Sequence, residues 1–332
     1  MRRFPPVVPG LVLLAALVLA GCGLSSGSPS LPGVTLVLDF TPNPVHAGIY
    51  EALARGDDVR AGFRLRVVAP SASTDSIRLL ETGRADFAIL DIHDLALARA
   101  RGQQLVGIMG IVQRPLAAVI AAPGVTSPRK LAGRTVGVSG VPSDTAVLHS
   151  VIAGAGGQPA KVKTITIGFN AVADLLAGRV AAATAFWNDE GVTLRRRRPG
   201  FHIFRVDQYG APAYPELVLV ATATALRAHP DLSEDIVRAL STGYQQVLSQ
   251  PAAGAQALRQ LVPGLDPRLL DVELRGLLPV FRGPGGRVGA LDPHRLAAWA
   301  RWERRFGIVS RTPDIAAMFT QRYLPPAPRR RH

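Results

Sequence analysis

Leu38-Asp39-Phe40-Thr41-Pro42-Asn43-Pro44-Val45-His46-Ala47-Gly48-Ile49-Tyr50 is the stretch that decides the fold. A β-branched apolar run at 34–38 leads into it and reads as a buried strand. The strand ends on a carboxylate and an aromatic ring. Asn43 then suits a helix cap, and Pro44 suits the first helical position. His46, Ile49, Tyr50 and Leu53 follow at three- and four-residue spacings, so they share one helical face. Polar and aromatic groups therefore stand where a parallel strand delivers side chains to a crevice, which is the geometry of a small-molecule site.

Outward from this stretch the chain alternates. Further strands are expected at 63–69, 86–90, 105–112, 116–121, 135–138, 162–167, 180–186 and 217–223. Helices are expected at 44–55, 75–82, 95–101, 144–153 and 171–176, then in a helical C-terminal region at 231–249, 267–278, 293–306 and 313–323. Short connections between alternating elements predict α/β architecture with mainly parallel central sheets. Four polar clusters fall at strand carboxyl ends: Asp39-Phe40, Asp91-Ile92-His93-Asp94, Ser139-Gly140-Val141-Pro142-Ser143, and Trp187-Asn188-Asp189-Glu190. Two sheets facing each other would gather all four into one cleft.

The N-terminus has its own logic. Met1-Arg2-Arg3 is a basic start, and 11–20 is an apolar stretch too short to span a bilayer of roughly 30 Å as a helix. Leu19-Ala20-Gly21-Cys22 follows and resembles the bacterial lipobox, so 1–21 is expected to be a lipoprotein signal peptide and Cys22 the lipidated residue. Cys22 is the only cysteine, which excludes an intramolecular disulfide and a cysteine-based zinc site. The segment 22–33, rich in Ser, Gly and Pro, reads as a flexible tether. An extracytoplasmic protein held at the cell membrane follows.

The 332 residues are 48% hydrophobic and 19% charged, as in globular chains long enough for two domains. The formal charge is +14 and is nearly all arginine. No aromatic-interleaved basic face or nucleic-acid motif accompanies it, so a solvated face is the better reading and no nucleic-acid partner is expected. Asp91, His93 and Asp94 have ligand chemistry for several cations, but no second His or Cys cluster supports a metal, and helix capping is the commoner role. No Gly-x-Ser-x-Gly elbow, His-Glu-x-x-His helix or P-loop is present, so neither catalysis nor nucleotide hydrolysis is expected of this chain.

Three stretches resemble the NMT1/THI5-like family. They are 38–48; Ala173-Asp174-Leu175-Leu176-Ala177-Gly178-Arg179 through Asn188-Asp189-Glu190-Gly191; and Asp207-Gln208-Tyr209-Gly210-Ala211-Pro212-Ala213-Tyr214-Pro215-Glu216-Leu217. The resemblance implies a two-lobe type II periplasmic-binding-protein fold with a ligand cleft between lobes. Lobe I would be 34–115 plus 217–332, and lobe II 116–216, hinged near Pro115 and Pro215. It further implies a monomeric solute-binding lipoprotein of an ABC importer, working with permease and ATPase subunits on separate chains. The ligand would be a small nitrogen heterocycle like a thiamine-pyrimidine precursor, with no cofactor. Asp39 would accept from a ring amino group, Phe40 would form an apolar wall, and Glu190 would supply a carboxylate from the other lobe. Tyr209 and Tyr214 would stack or hydrogen-bond, and Ser139-Gly140 would offer backbone N–H groups. Asn43, His46, Asp91, His93, Trp187 and Asn188 complete the candidate site. Binding an alkanesulfonate instead is the alternative within the fold. A pyrimidine synthase is the enzymatic alternative, disfavoured because that branch carries a cysteine-rich motif.

Overall fold

A computed structural model describes residues 31–326 apart from Ser73 and Pro142. The expected signal peptide, Cys22 and most of the tether lie outside the described residues. Ten strands form two five-stranded sheets. The first sheet contains β1 (Gly33–Val37), β2 (Arg64–Val68), β3 (Phe87–Asp91), β4 (Leu105–Gly110) and β10 (Leu217–Thr222), in the order β2-β1-β3-β10-β4. The second contains β5 (Ala117–Ala121), β6 (Thr135–Val138), β7 (Lys163–Thr166), β8 (Ala182–Phe186) and β9 (His202–Arg205), in the order β7-β6-β8-β5-β9. The two orders are the same pattern used twice.

The expectation of parallel pairing holds for half of each sheet. β1 runs parallel to β2 and β3, and β6 runs parallel to β7 and β8. β10 is antiparallel to β3 and β4, and β5 is antiparallel to β8 and β9. The reason is topological. β5 and β10 are reached by crossing from the other sheet, not through a βαβ unit, and no right-handed crossover fixes their direction. Both sheets are therefore mixed.

The strands are continuous apolar runs because both faces are covered. In β10, Leu217, Leu219 and Ala221 enter the core under the C-terminal helices, while Val218 and Val220 enter the core on the opposite face. In β5, Val119 and Ala121 face one core and Ala118 and Ile120 another. The helix Pro230–Ser249 buries Ile236, Leu240, Tyr244 and Val247 against the first sheet. The expected helix at 313–323 is shorter, Ile315–Met318, because Phe319 leaves it to pair with Gly107 on β4. The helix Pro251–Leu261 and strand β9 had no counterpart in the sequence reading.

One close approach ties the deciding stretch to the C-terminal region. Pro44–His46 forms a 3-10 turn that continues as the helix Ala47–Arg55, and Gly48 faces the Tyr244 ring. A Cβ at Gly48 would lie 2.3 Å from that ring, and one at Gly243 would lie 2.0 Å from the Gly48 carbonyl oxygen. Only this bare backbone lets the Tyr244 hydroxyl donate to the Val45 carbonyl at 2.8 Å. Because the obstructing atom is backbone, Gly243→Ala is expected to destabilise by about 3 kcal/mol or more, at the upper end of overpacking costs, read by thermal or urea unfolding. Wild-type stability in that variant would mean that the two helices slide apart freely.

Candidate ligand-binding site

The chain passes twice between the sheets, from β4 to β5 at 111–116 and from β9 to β10 at 206–216. Glu216 joins the passages. Its fully buried carboxylate accepts from the Leu116 N–H at 3.0 Å and the Ala117 N–H at 3.1 Å. Beside this junction the carboxyl ends of β1, β3, β6 and β8 meet across a cavity of about 100 Å³.

On the first-sheet side, Asp39 follows β1. The His46 ring, fully buried, lies 2.9 Å from Asp39 Oδ1 through Nε2. Its Nδ1 accepts from the Asn43 N–H at 3.2 Å, so the proton sits on Nε2 and is donated to Asp39. Asn43 also caps the turn, accepting from the Val45 N–H at 2.9 Å. Asp91 ends β3 and caps the helix Ile92–Ala100 through the His93 N–H at 2.7 Å, and Asp94 sits one turn into that helix.

On the second-sheet side, the Ser139 hydroxyl and the Gly140 N–H both donate to Asp144, at 2.8 and 3.0 Å. Glu190 opens the helix Glu190–Arg197 and accepts from the Phe186 N–H at 3.0 Å. Ring contacts and a hydrogen bond cross the cleft. The Phe40 ring meets Phe169 edge-on at 4.4 Å and Phe186 at 6.3 Å. The Ser143 hydroxyl donates to Asp94 at 2.9 Å. The walls are closed on each other.

Of the residues proposed from sequence, Asp39, Phe40, Asp91, Ser139 and Glu190 line this cavity together. Gly140 stands beside it, engaged with Asp144. His46 and Asn43 are one layer behind, holding Asp39. His93 and Tyr214 are not brought to the cleft: both are buried, and His93 Nε2 meets the Tyr214 hydroxyl at 3.0 Å while Nδ1 faces Glu303. Helix position alone did not reveal that His93 points inward at the Pro293–Arg305 helix. Trp187 donates from its indole to the Pro115 carbonyl at 3.0 Å with the Arg205 guanidinium over its ring, so it braces a crossover. Asn188 is buried, and its amide has no hydrogen-bond partner among the described residues. Tyr209 packs its carbonyl against Gly154, away from the cavity. Asp94 and Ser143, members of two of the four polar clusters, line the cavity as well, while Phe169, Phe186 and Asp144 are lining residues that the sequence analysis did not single out. The rule that singled out strand carboxyl ends applies to Phe169, after β7, and to Phe186, which ends β8.

The cavity is acidic. Asp39, Asp91, Asp94, Asp144 and Glu190 line it, and no Lys, Arg or His is among the described lining residues. Burial pushes the Asp91 carboxyl up to about 8, with Glu216 and Glu303 adding and His93 opposing. Burial likewise lifts Glu190 to about 8, helped by Asp189, and raises Asp94 and Asp144. Behind Asp91, burial works against the His93 imidazolium, but Glu303, Asp91 and Glu216 outweigh it and hold the ring up to about 10.

The sequence matches the profile described as "NMT1/THI5 like" over residues 43–254. The chain belongs to the NMT1/THI5-like family. It is 30% identical over 293 residues to the formylaminopyrimidine-binding protein of Halalkalibacterium halodurans, covering 85% of this chain and 88% of that one. It is 24% identical over 300 residues to a 4-amino-5-hydroxymethyl-2-methylpyrimidine phosphate synthase of Legionella pneumophila, covering 89% and 93%. Among solved structures, an alkanesulfonate-binding protein of Xanthomonas axonopodis pv. citri, bound to MOPS, superposes with a TM-score of 0.68 at 15% identity, covering 88% of this chain and 99% of that one. The fold of this NMT1/THI5-like chain is thus that of the periplasmic binding proteins.

Raised carboxyls make stability depend on pH with a definite sign. Asp91 and Glu190 at about 8, Glu216 at about 7 and Glu273 at about 9 keep protons in the folded state that the unfolded chain loses near pH 4. His93 at about 10 acts in the same direction above its ordinary value. Unfolding therefore releases protons, and stability falls as pH rises. Asp75, held low by its hydrogen bonds to Ser71 and Arg78, opposes this only in acid. Ligand-free protein should show its highest melting temperature near pH 5 and a steady fall to pH 9 in calorimetric scans; a rise across that window would contradict the buried-acid assignment.

Proposed function

We propose that this chain is the solute-binding component of an ABC importer, capturing a small nitrogen heterocycle between two lobes. Lobe I is read as 34–115 with 217–332, and lobe II as 116–216, so each lobe is built on one of the two sheets. Cys22 carries the lipid that holds the monomer outside the cytoplasm, and permease and ATPase subunits are separate chains. The observation that carries the reading is Asp39 facing Glu190 across a cavity walled by Phe40, Phe169 and Phe186. Carboxyls on both walls suit the N–H donors of an aminated ring, and phenyl faces suit its flat surface. A cavity near 100 Å³, smaller than the engineered apolar cavity of about 150 Å³ that holds benzene, leaves room for no more than one small ring. The formylaminopyrimidine-binding relative favours the same ligand class.

Closing brings both walls onto the ligand, and only then is Asp94 within reach of Ser143. A closed form distinct from the open one gives the permease a surface that reports occupancy. A sulfonate is disfavoured, because no basic side chain among the described residues lines the cavity to receive it. The synthase named among the relatives is the other reading; the single cysteine, placed in the signal region, and the binding protein at 30% identity favour a carrier.

Mass spectrometry of solute released from purified protein, followed by calorimetry with pyrimidines and sulfonates, tests the assignment. Heat with an aminopyrimidine and none with sulfonates is expected. Heat with sulfonates alone would overturn it. Asp39→Ala should weaken heterocycle binding at least about tenfold, near 1.4 kcal/mol, as the loss of a charge-assisted hydrogen bond implies.

A further inference from the structure

Resting on that reading of the cavity, we infer that the protein takes its solute as a cation, a single ring carrying a protonated amine or a protonated ring nitrogen. The argument is one of charge and donor count. Carboxyls come from both walls: Asp39, Asp91 and Asp94 from one, Asp144 and Glu190 from the other. Each has a protein donor on one oxygen, namely His46, the His93 N–H, Ser143, Ser139 with the Gly140 N–H, and the Phe186 N–H. Those donors fix the orientation of the carboxyls, and among the donating side chains only His46 can bring a charge.

A neutral aminopyrimidine offers two N–H groups from its amine and no charge, so it does not offset the cost of ionising the buried acids. A cationic substituent adds donors and supplies the charge that lets buried carboxyls ionise. The three phenyl rings at the cavity favour a cation on their faces as well. Basic groups outside the cavity do not replace it. Arg78 and Arg101 line an adjoining pocket beside Asp94, where Glu81 also stands, and Arg78 is paired with Asp75. His93 lies behind Asp91, between Glu303 and Tyr214.

Binding a cation should expel protons. The groups that face the cavity acids are His93, Glu216 and Glu303 toward Asp91; Ser143 and Asp144 toward Asp94; Asp189 toward Glu190, with Glu273 beyond it on the helix Pro267–Leu277; and His46 toward Asp39. Asp91 and Glu190 hold protons at neutral pH and release them when a positive charge arrives, so affinity for the cation rises with pH through about 8.

The test compares two arms of nearly equal size on one ring: 4-amino-5-hydroxymethyl-2-methylpyrimidine and its 5-aminomethyl counterpart, titrated calorimetrically into the full chain at pH 7 in two buffers of different ionisation enthalpy. The aminomethyl compound should bind at least about tenfold more tightly and release protons, and Asp94→Asn and Glu190→Gln should each narrow the gap. Equal or tighter binding of the hydroxymethyl compound, or no proton release, overturns the inference and leaves the heterocycle reading standing. Benzylamine and benzyl alcohol serve as the ring-independent pair. Benzylamine bound in preference to benzyl alcohol, with neither pyrimidine bound, supports the charge preference and overturns the heterocycle reading; no binding in either pair overturns both.

Discussion

The carboxylate of Glu216, accepting from two consecutive backbone amides, is the constraint on which the rest of the architecture depends. Ala117 begins β5 with Leu116 just before it, and Glu216 immediately precedes β10. These are the two strands that run against the direction of their sheets, and each is reached from the other sheet. One side chain thus fastens the outgoing passage to the returning one at the point where both strands start. Removing it would leave two N–H groups unpaired in a dry interior, at a cost of about 1–3 kcal/mol each. Burial holds the same carboxyl up to about 7, so its grip strengthens as it ionises and is opposed by desolvation.

Around this junction the polar groups are arranged in layers. Those that touch the cavity are carboxyls and phenyl rings; those behind them orient. His46 presents its proton to Asp39 because Asn43 occupies its other nitrogen, and the same Asn43 caps the turn that carries His46. His93 sits under Asp91 with Glu303 and Trp299 at one nitrogen and Tyr214 at the other. Part of the second layer, Trp299 and Glu303, comes from a helix far along the chain, which is why the C-terminal third matters to a site whose lining residues all precede residue 191.

Much of this was legible in sequence, and the exceptions follow a pattern. The strand at 34–38, the cap at Asn43 and the buried helical face through His46 and Ile49 follow from local chemistry, and so does the placing of Asp39 and Glu190 at strand ends. His93 and Tyr214 carry the same residue chemistry as a binding site, but burial against Glu303, more than two hundred positions away, is a tertiary fact. Phe169 and Phe186 also stand at strand carboxyl ends, but a phenyl ring there packs in a core as readily as it walls a cavity, so position alone did not assign them. β5 and β10 read as ordinary strands; their direction comes from where the chain has been, and periodicity carries no record of that.

The edge-on contacts of Phe40 with Phe169 and Phe186 have a kinetic consequence. With these rings touching, one side of the cavity is shut, and a solute entering on that side must first part them. Capture is then gated by how often the rings part, not by diffusion to the surface alone, and association is slower than for an open groove. The same seal slows escape once a ring is inside. On that side admission and escape depend on the same aromatic contact, so a carrier of this build trades speed of loading for security of transit.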